Sequence, residues 1–471
     1  MRWAVLFLIL LGIKLTTLNG QPTTNIESGI PPDSLVIIGS IDLSGNKVTR
    51  DKIILRELEF KPGDTLSASS LQQTIRNSRQ NLINRSLFNF VTITPTRNGD
   101  IVNMEVSVVE RWYIWPIPVI NTAGRNLNAW WESRDFGRLN YGLDLRVENF
   151  RGRMERLNVF VQMGFDQKVE AMWTIPYLTK RQFLGIGIGG GMQWNREVIY
   201  ATRDNKPVFF EPERGFAREI VYGSLDITLR PKFNFLHTLT ISYMQNRFND
   251  SLLVLNPGYG PPDDVVGYFT FSYLYKQDFR DYKPYPLDGY YFDIGVIRFG
   301  PGTNGSDVDF WSFSVTLDQY LPVYGRWYFA YSISGLLASK DELPYFLTPA
   351  FGYLGMEIRG YELYLINGQK FGLFKSNVKF EIIPKTVRRI KAIKTEKFGK
   401  IFYALYANLF FDAGYATDKQ FDAENELSNQ LLYGYGLGID FVTYYDLVIR
   451  FEFAVNKQHQ TGFFLNMVAP I

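Results

Sequence analysis

Two hydrophobic periods divide the chain. Between residue 34 and about residue 111, short alternating runs are interleaved with near-helical spacing; from residue 112 onward the period is two and no helical pattern returns. In the first region an apolar run at 35–43 ends at the turn cluster Ser44-Gly45-Asn46. Residues 49–58 predict a short helix, broken by Lys61-Pro62-Gly63-Asp64, and Leu71, Ile75, Leu82 and Ile83 predict a second helix within 67–87. Strands are expected at 89–97 and 100–111, joined at Asn98-Gly99, a strong hairpin signal. In the last of these, Val102, Met104, Val106 and Val108 alternate with Asn103, Glu105 and Ser107. The expected order is strand, helix, helix, strand, strand.

Beyond residue 112, Leu143, Leu145 and Val147 alternate with Asp144, Arg146 and Glu148, and Leu447, Ile449, Phe451 and Phe453 alternate with Arg450 and Glu452. A charge at every second position cannot sit in a packed core but can line a wet lumen. A soluble sandwich also alternates, with its polar face outside and shorter strands. About sixteen strand-like runs follow Ile114, an even number as single-chain barrels require. The expected fold is mainly β, an approximately 16-stranded transmembrane β-barrel over 112–471 preceded by one small α/β domain over 34–111. Composition agrees with this picture. The chain has 38 Phe, 29 Tyr and 9 Trp, yet its mean hydropathy is only −0.11, as alternation with aromatic girdles produces. Arg2 followed by the apolar run 4–13 and small residues to Gly20 predicts a signal peptide over 1–20, with 21–33 as a lead. There is no Cys, which excludes disulfides and thiolate metal sites.

Two short motifs then stand out. Gly355-Met356-Glu357-Ile358-Arg359-Gly360-Tyr361 resembles the V/I-R-G-F/Y loop motif of the BamA/TamA outer-membrane assembly superfamily. Phe410-Phe411-Asp412-Ala413-Gly414 resembles that superfamily's F-x-D-x-G strand motif, and Tyr435-Gly436-Leu437-Gly438-Ile439-Asp440-Phe441 its glycine-bearing late strand. The front domain is similar in element order to the POTRA module. By strand count the Arg359 loop joins strands eleven and twelve, and Asp412 ends strand thirteen. The resemblance implies a loop folded into the lumen, with Ile358, Arg359, Gly360 and Tyr361 at its tip and Arg359 meeting a carboxylate on a wall that includes Phe411, Asp412 and Gly414. A guanidinium can fork onto a carboxylate and offset the ordering of a long loop. Parity places Glu381 on the inner face of strand twelve as a second partner; the alternative is a solvated Arg359 in a free loop.

Three other features bear on function. Lys385, Arg388, Arg389, Lys391 and Lys394 form a basic cluster joining strands twelve and thirteen, either a solvated periplasmic turn or a surface for an acidic partner or lipid head groups. The alternating glycines of 185–191 lack the Lys-Ser/Thr of a phosphate loop; they leave lumen space for an inserted loop or mark a bend. Ile114-Trp115-Pro116-Ile117-Pro118-Val119 is either a rigid linker or the first barrel strand. In a strand, Pro116 and Pro118 remove two N–H donors from one edge, which should face strand sixteen at the barrel seam.

Catalysis has no foothold: His237 and His459 are the only histidines, and no nucleophile elbow or metalloprotease motif occurs. No cofactor, metal or nucleic acid is expected. The resemblance implies an outer-membrane protein with a periplasmic front domain, whose partners are unfolded outer-membrane or secreted polypeptides, outer-membrane lipids and periplasmic accessory proteins. Assembly of other barrels is the first expectation. A two-partner secretion exporter and a diffusion barrel are the alternatives. Exporters carry two POTRA modules and a plug helix, for which 21–33 is too short, whereas known assembly factors carry several modules and usually end on an aromatic residue rather than Ile471.

Overall fold

The computed structural model describes residues 34–122, 136–262, 264–303, 308–352, 356–390, 393, 395–443 and 445–467. The expected signal and lead (1–33), and Lys391 and Lys394 of the basic cluster, lie outside the described residues.

The first domain consists of β1 (Leu35–Ser44), α1 (Asp51–Leu55), β2 (Thr65–Ser67), α2 (Ala68–Ile83), β3 (Phe88–Asn98) and β4 (Ile101–Glu110). Its sheet runs β2-β1-β4-β3, with β1 parallel to β4. β2 is additional to the predicted order. It occupies Thr65–Ser67, just after the Pro62-Gly63 turn, and the hydroxyl of its last residue, Ser67, accepts the Ser70 N–H and caps α2. Leu71, Ile75 and Leu82 of α2 close over Val36, Ile38, Val91, Val102, Met104 and Val106. Gly99 makes the β3–β4 turn with a φ of +63°, which glycine adopts without strain.

Sixteen strands follow in one antiparallel sheet in strict chain order, from β5 (Ile114–Thr122) to β20 (Thr461–Asn466). Leu143, Ile188 and Leu437 are exposed on the outside, whereas Asp144, Asp440 and Glu452 on the inside are buried. That inversion of a soluble protein's pattern identifies a transmembrane barrel. The end bearing the first domain is called near, the other far. The strand Leu184–Asn195 carries the glycine track. A side chain at Gly185, Gly187 or Gly191 would strike Thr228, Asp226 or Tyr222 of the neighbouring strand, so those side chains, and not an inserted loop, take the space.

The longest pair is β16 (Lys370–Arg389) with β17 (Lys400–Thr417). Lys385, Arg388 and Arg389 therefore lie on a strand and not in a turn, with Arg388 opposite Ile401 and Arg389 opposite Lys400. The ladder continues below the barrel because Val387 and Phe402 pack with Tyr282 and Tyr285, and Lys385 Nζ lies over the Phe402 ring at 4.2 Å, so the cluster's charges are carried on a strand that has its own apolar contact.

Contacts cross the barrel at both ends. At the far end the hairpin 198–210 reaches over the mouth: the Asp204 N–H donates to the Glu424 carbonyl (2.9 Å) and the Leu365 N–H to the Asn205 carbonyl (2.7 Å). Phe248, Leu252, Tyr259, Tyr268, Leu343 and Tyr345 pack beneath it as an apolar cap. At the near end the turn 279–288 bends inward, where the Tyr285 hydroxyl donates to Asp440 (2.8 Å) and its ring meets Tyr406.

Candidate functional site

The segment between Trp327–Ala338 and β16 folds back on itself through a two-residue ladder, Ala350–Phe351 with Ile366–Asn367. Phe351, Ile358, Tyr361 and Ile366 pack on Phe371, Leu373, Ala416 and Leu432 of the inner wall, and this apolar burial offsets the cost of ordering the loop. Gly360 turns the tip with a φ of +95°, and Asn456 Nδ2 donates to its carbonyl at 3.0 Å. The Tyr361 hydroxyl donates to Gln458 at 2.7 Å.

Arg359 is thereby delivered to β17. Its Nε and Nη2 donate to the two oxygens of Asp412 at 2.7 and 2.5 Å, and its own backbone N–H donates to Asp412 Oδ2 at 3.1 Å. Nη1 donates to Asn377 (2.8 Å) and to Glu452 (3.1 Å), and the Phe410 ring lies 3.9 Å from the guanidinium carbon. Arg359 is 4% exposed and Asp412 0%, so the pair is dry. Arg450 extends the network, donating to Asp440 at 2.8 Å and lying 3.8 Å from Glu452. Buried charges at this density persist only when mutually paired and hydrogen-bonded.

Several sequence-based assignments shift. Glu381 does face inward, but it sits opposite Tyr406, whose hydroxyl donates to it at 3.2 Å, whereas Lys375 sits opposite Asp412. Six residues along a strand are roughly 20 Å, too far for Arg359; Glu452 of β19 (Leu447–Asn456) takes the role instead. Phe411 is exposed on the outer face because it alternates with Asp412, and the wall aromatic is Phe410. Asp412 lies within β17, which continues to Thr417. Gly414 is needed for space: a Cβ there would lie 2.6 Å from Ile358 Cδ1. The tightest approach is at Gly434 of β18 (Leu432–Thr443), just before the glycine run singled out in the sequence, where a Cβ would lie 1.9 Å from the Arg359 carbonyl oxygen. Glu362 is buried beside the tip and accepts the Gly360 N–H at 2.9 Å; burial, together with Glu357 and Glu452, pushes its carboxyl up to about 8.

The seam lies between β5 and β20. In the ladder with β6 (Leu139–Phe150), Pro116 is opposite Leu145 and Pro118 opposite Leu143. The Glu148 N–H donates to the Tyr113 carbonyl at 2.7 Å, so alternation turns odd-numbered positions toward β6 and Pro116 and Pro118 away from it. β20 pairs with β19 over only Arg450 to Val455, and among the described residues no ladder joins β20 to β5.

A second ionic cluster was not visible in the sequence. Glu57, fully buried in the first domain, accepts from Arg230 Nη1 and Nη2 (2.5 and 2.8 Å) and from the Tyr177 hydroxyl (3.0 Å), all on near-end turns of the barrel. Burial would raise the Glu57 carboxyl, but Arg85, Arg230 and Arg56 overcome it and hold it at about 2. Arg111 forks onto Asp446 at 2.7 and 3.0 Å. Arg50 N–H to the Gly152 carbonyl and Asn84 to the Arg280 carbonyl add contacts to further turns, and Lys400 Nζ lies 4.4 Å from the Phe90 ring. The domain is thus fastened across the near mouth.

Sixteen strands in one sheet, a loop clamped to their inner wall and one small domain under the near mouth define a class of transmembrane β-barrel proteins with an appended domain. The sequence matches the Omp85 superfamily domain over residues 149–467 and the POTRA family, a surface antigen variable number repeat, over residues 36–111. The chain belongs to the Omp85 superfamily. Among solved structures it is similar to BamA from Haemophilus ducreyi lacking POTRA domains 1–3, at 15% identity, covering 92% of this chain and 83% of that chain with a TM-score of 0.52. It is likewise similar to CdiB from Escherichia coli, at 12% identity, covering 91% and 75% with a TM-score of 0.52. At these identities the likeness shows the fold alone. No curated protein matches the sequence.

Proposed function

We propose that this protein is an outer-membrane assembly factor, with its POTRA domain in the periplasm, that receives unfolded polypeptides at the near end and passes them into the bilayer through the barrel wall. The observation that carries this reading is the seam. Its first strand bears Pro116 and Pro118 on the edge turned from β6, its last strand is six residues long, and no ladder joins the two among the described residues. Each missing strand bond lowers the cost of parting the wall by about 0.5–1.5 kcal/mol. The capped far end supports lateral over axial passage, since a polypeptide crossing the tube would have to displace the apolar cap and the clamped loop. Polypeptide binding without chemistry, not catalysis, is the activity that follows.

Two experiments test it. A disulfide between cysteines placed in β5 and β20 is expected to abolish insertion of a client barrel into vesicles and to restore it on reduction; full activity of the locked protein excludes lateral opening. Depletion in cells is expected to lower many outer-membrane barrels together, whereas loss of one secreted protein alone would assign the chain to export.

A further inference from the structure

We infer that the junction between the POTRA domain and the barrel holds a binding site for the head group of an anionic glycerophospholipid. Between the two lies a cleft of about 770 Å³. Lys52, Arg56 and Lys61 enter it from the domain, Arg181 and Lys232 from the barrel turns, and no carboxylate lines it. Arg56 is committed, donating to the Gln182 and Arg230 carbonyls at 2.8 and 3.0 Å. The other four cations form no ion pair among the described residues. Gln182 also lines the cleft, and its amide nitrogen is buried without a hydrogen-bond partner.

The remaining wall is apolar, including Leu55, Phe60, Phe183 and Phe233. The same rim carries exposed Leu178, Phe183, Leu229 and Phe279, and the Phe279 ring packs on Tyr290. Such a girdle marks the depth of the head groups. Four cations and an unpaired amide donor thus converge beside an apolar wall at the level where a phosphodiester meets its acyl chains. A soluble anion would leave the apolar wall uncovered, and an uncharged lipid would leave the cations unpaired. Because both partners contribute side chains, the lipid can bind only while the domain is docked, and it favours the docked state by mass action.

The inference rests on the barrel lying in a bilayer, so insertion is scored separately, by heat-modifiable migration of the full chain taken from vesicles. The binding assay is native mass spectrometry of the full chain extracted from phosphatidylglycerol and phosphatidylcholine vesicles. The wild type is expected to retain one phosphatidylglycerol at least about tenfold better than phosphatidylcholine. Replacement of Lys52, Lys61, Arg181 and Lys232 by Gln should abolish the preference while leaving heat-modifiability intact, and millimolar inorganic phosphate should not displace the lipid. Equal retention of both lipids by the wild type, undiminished preference in the inserted variant, or displacement by phosphate alone overturns the assignment. If a heat-modifiable variant keeps the preference after Arg181→Glu and Lys232→Glu as well, the site lies elsewhere on the barrel.

Discussion

The Arg359 cluster in the lumen and the Glu57 cluster under the barrel solve the same physical problem from opposite chemical sides. In the first, one buried guanidinium serves Asp412 and Glu452 and fastens a loop to its own barrel. In the second, one buried carboxylate serves Arg230, Arg85 and Arg56 and fastens one domain to another. The first is enclosed by strands that cannot leave; the second joins bodies that can part and let water in. Two ion pairs in the first and three in the second therefore carry different consequences when the central partner is removed.

The largest effect is expected at Arg359. Arg359→Ala strands Asp412 and Glu452 in a dry site, a loss of about 3–5 kcal/mol for breaking a buried pair. The barrel should remain heat-modifiable, limited proteolysis should cut within 339–369, and client insertion should fall. Arg359→Lys should rescue little, because an ammonium cannot fork onto Asp412. A loop that stays protease-resistant in Arg359→Ala would make the ion pair incidental to its anchoring.

Glu57→Gln should cost less, about 1.5–3 kcal/mol, since undocking rehydrates the three arginines. A cysteine pair placed across the interface, in a chain with no native Cys, should oxidise more slowly in this variant. Unchanged oxidation would show that the Arg111–Asp446 pair and the other interface contacts hold the domain without Glu57. Next comes Gly434→Ala, whose Cβ would collide with the Arg359 carbonyl. Overpacking of about 1–3 kcal/mol is expected, read as increased proteolysis of the loop, with Gly372→Ala as a silent control because nothing lies near its Cβ.

The smallest effect sharpens the contrast most, because the two regions should respond to pH with opposite signs. Glu57 is depressed to about 2, so its contribution to docking is present above the ordinary carboxylate range and fades as pH falls from about 4.5 toward 2. Glu362 is raised to about 8, so its contribution to loop anchoring is full below about 4.5 and is lost as pH rises through 8. Hydrogen exchange of the loop and of the docked face, compared at pH 5 and pH 8.5, should show loosening of the loop alone. Glu362→Gln should remove that dependence, and a loop indifferent to pH in the wild type would exclude Glu362 as its source.

Legibility followed locality. Alternation is written into each strand, so the barrel and the inward parity of Glu381 and Glu452 could be read from the sequence. Which inward carboxylate meets Arg359 depends on strand register, a pairing property, and parity alone could not separate Glu381 from Glu452. The inward parity of Phe410 was equally available, since it lies two residues from Asp412. Glu57 and Arg230 are 173 residues apart, on a helix end and a turn, with no periodic signal at either. β2 was too short for any period to register.

The β16–β17 hairpin can be viewed as a cantilever. It carries Asp412 in the clamped part of the wall and, at its free end, Lys400 against Phe90 of the POTRA domain. Between them the ladder slips register at Glu381/Ile383 and again at Ile383/Thr386, and such bulges bend a strand where they occur. A load applied by the domain is therefore expected to flex the hairpin at this weak section, sparing the clamp above it. Amide exchange resolved along β16 would test this: fast exchange at 382–386 beside slow exchange at 372–378 is expected, and uniform protection would mean that the hairpin transmits the load unbroken to Asp412.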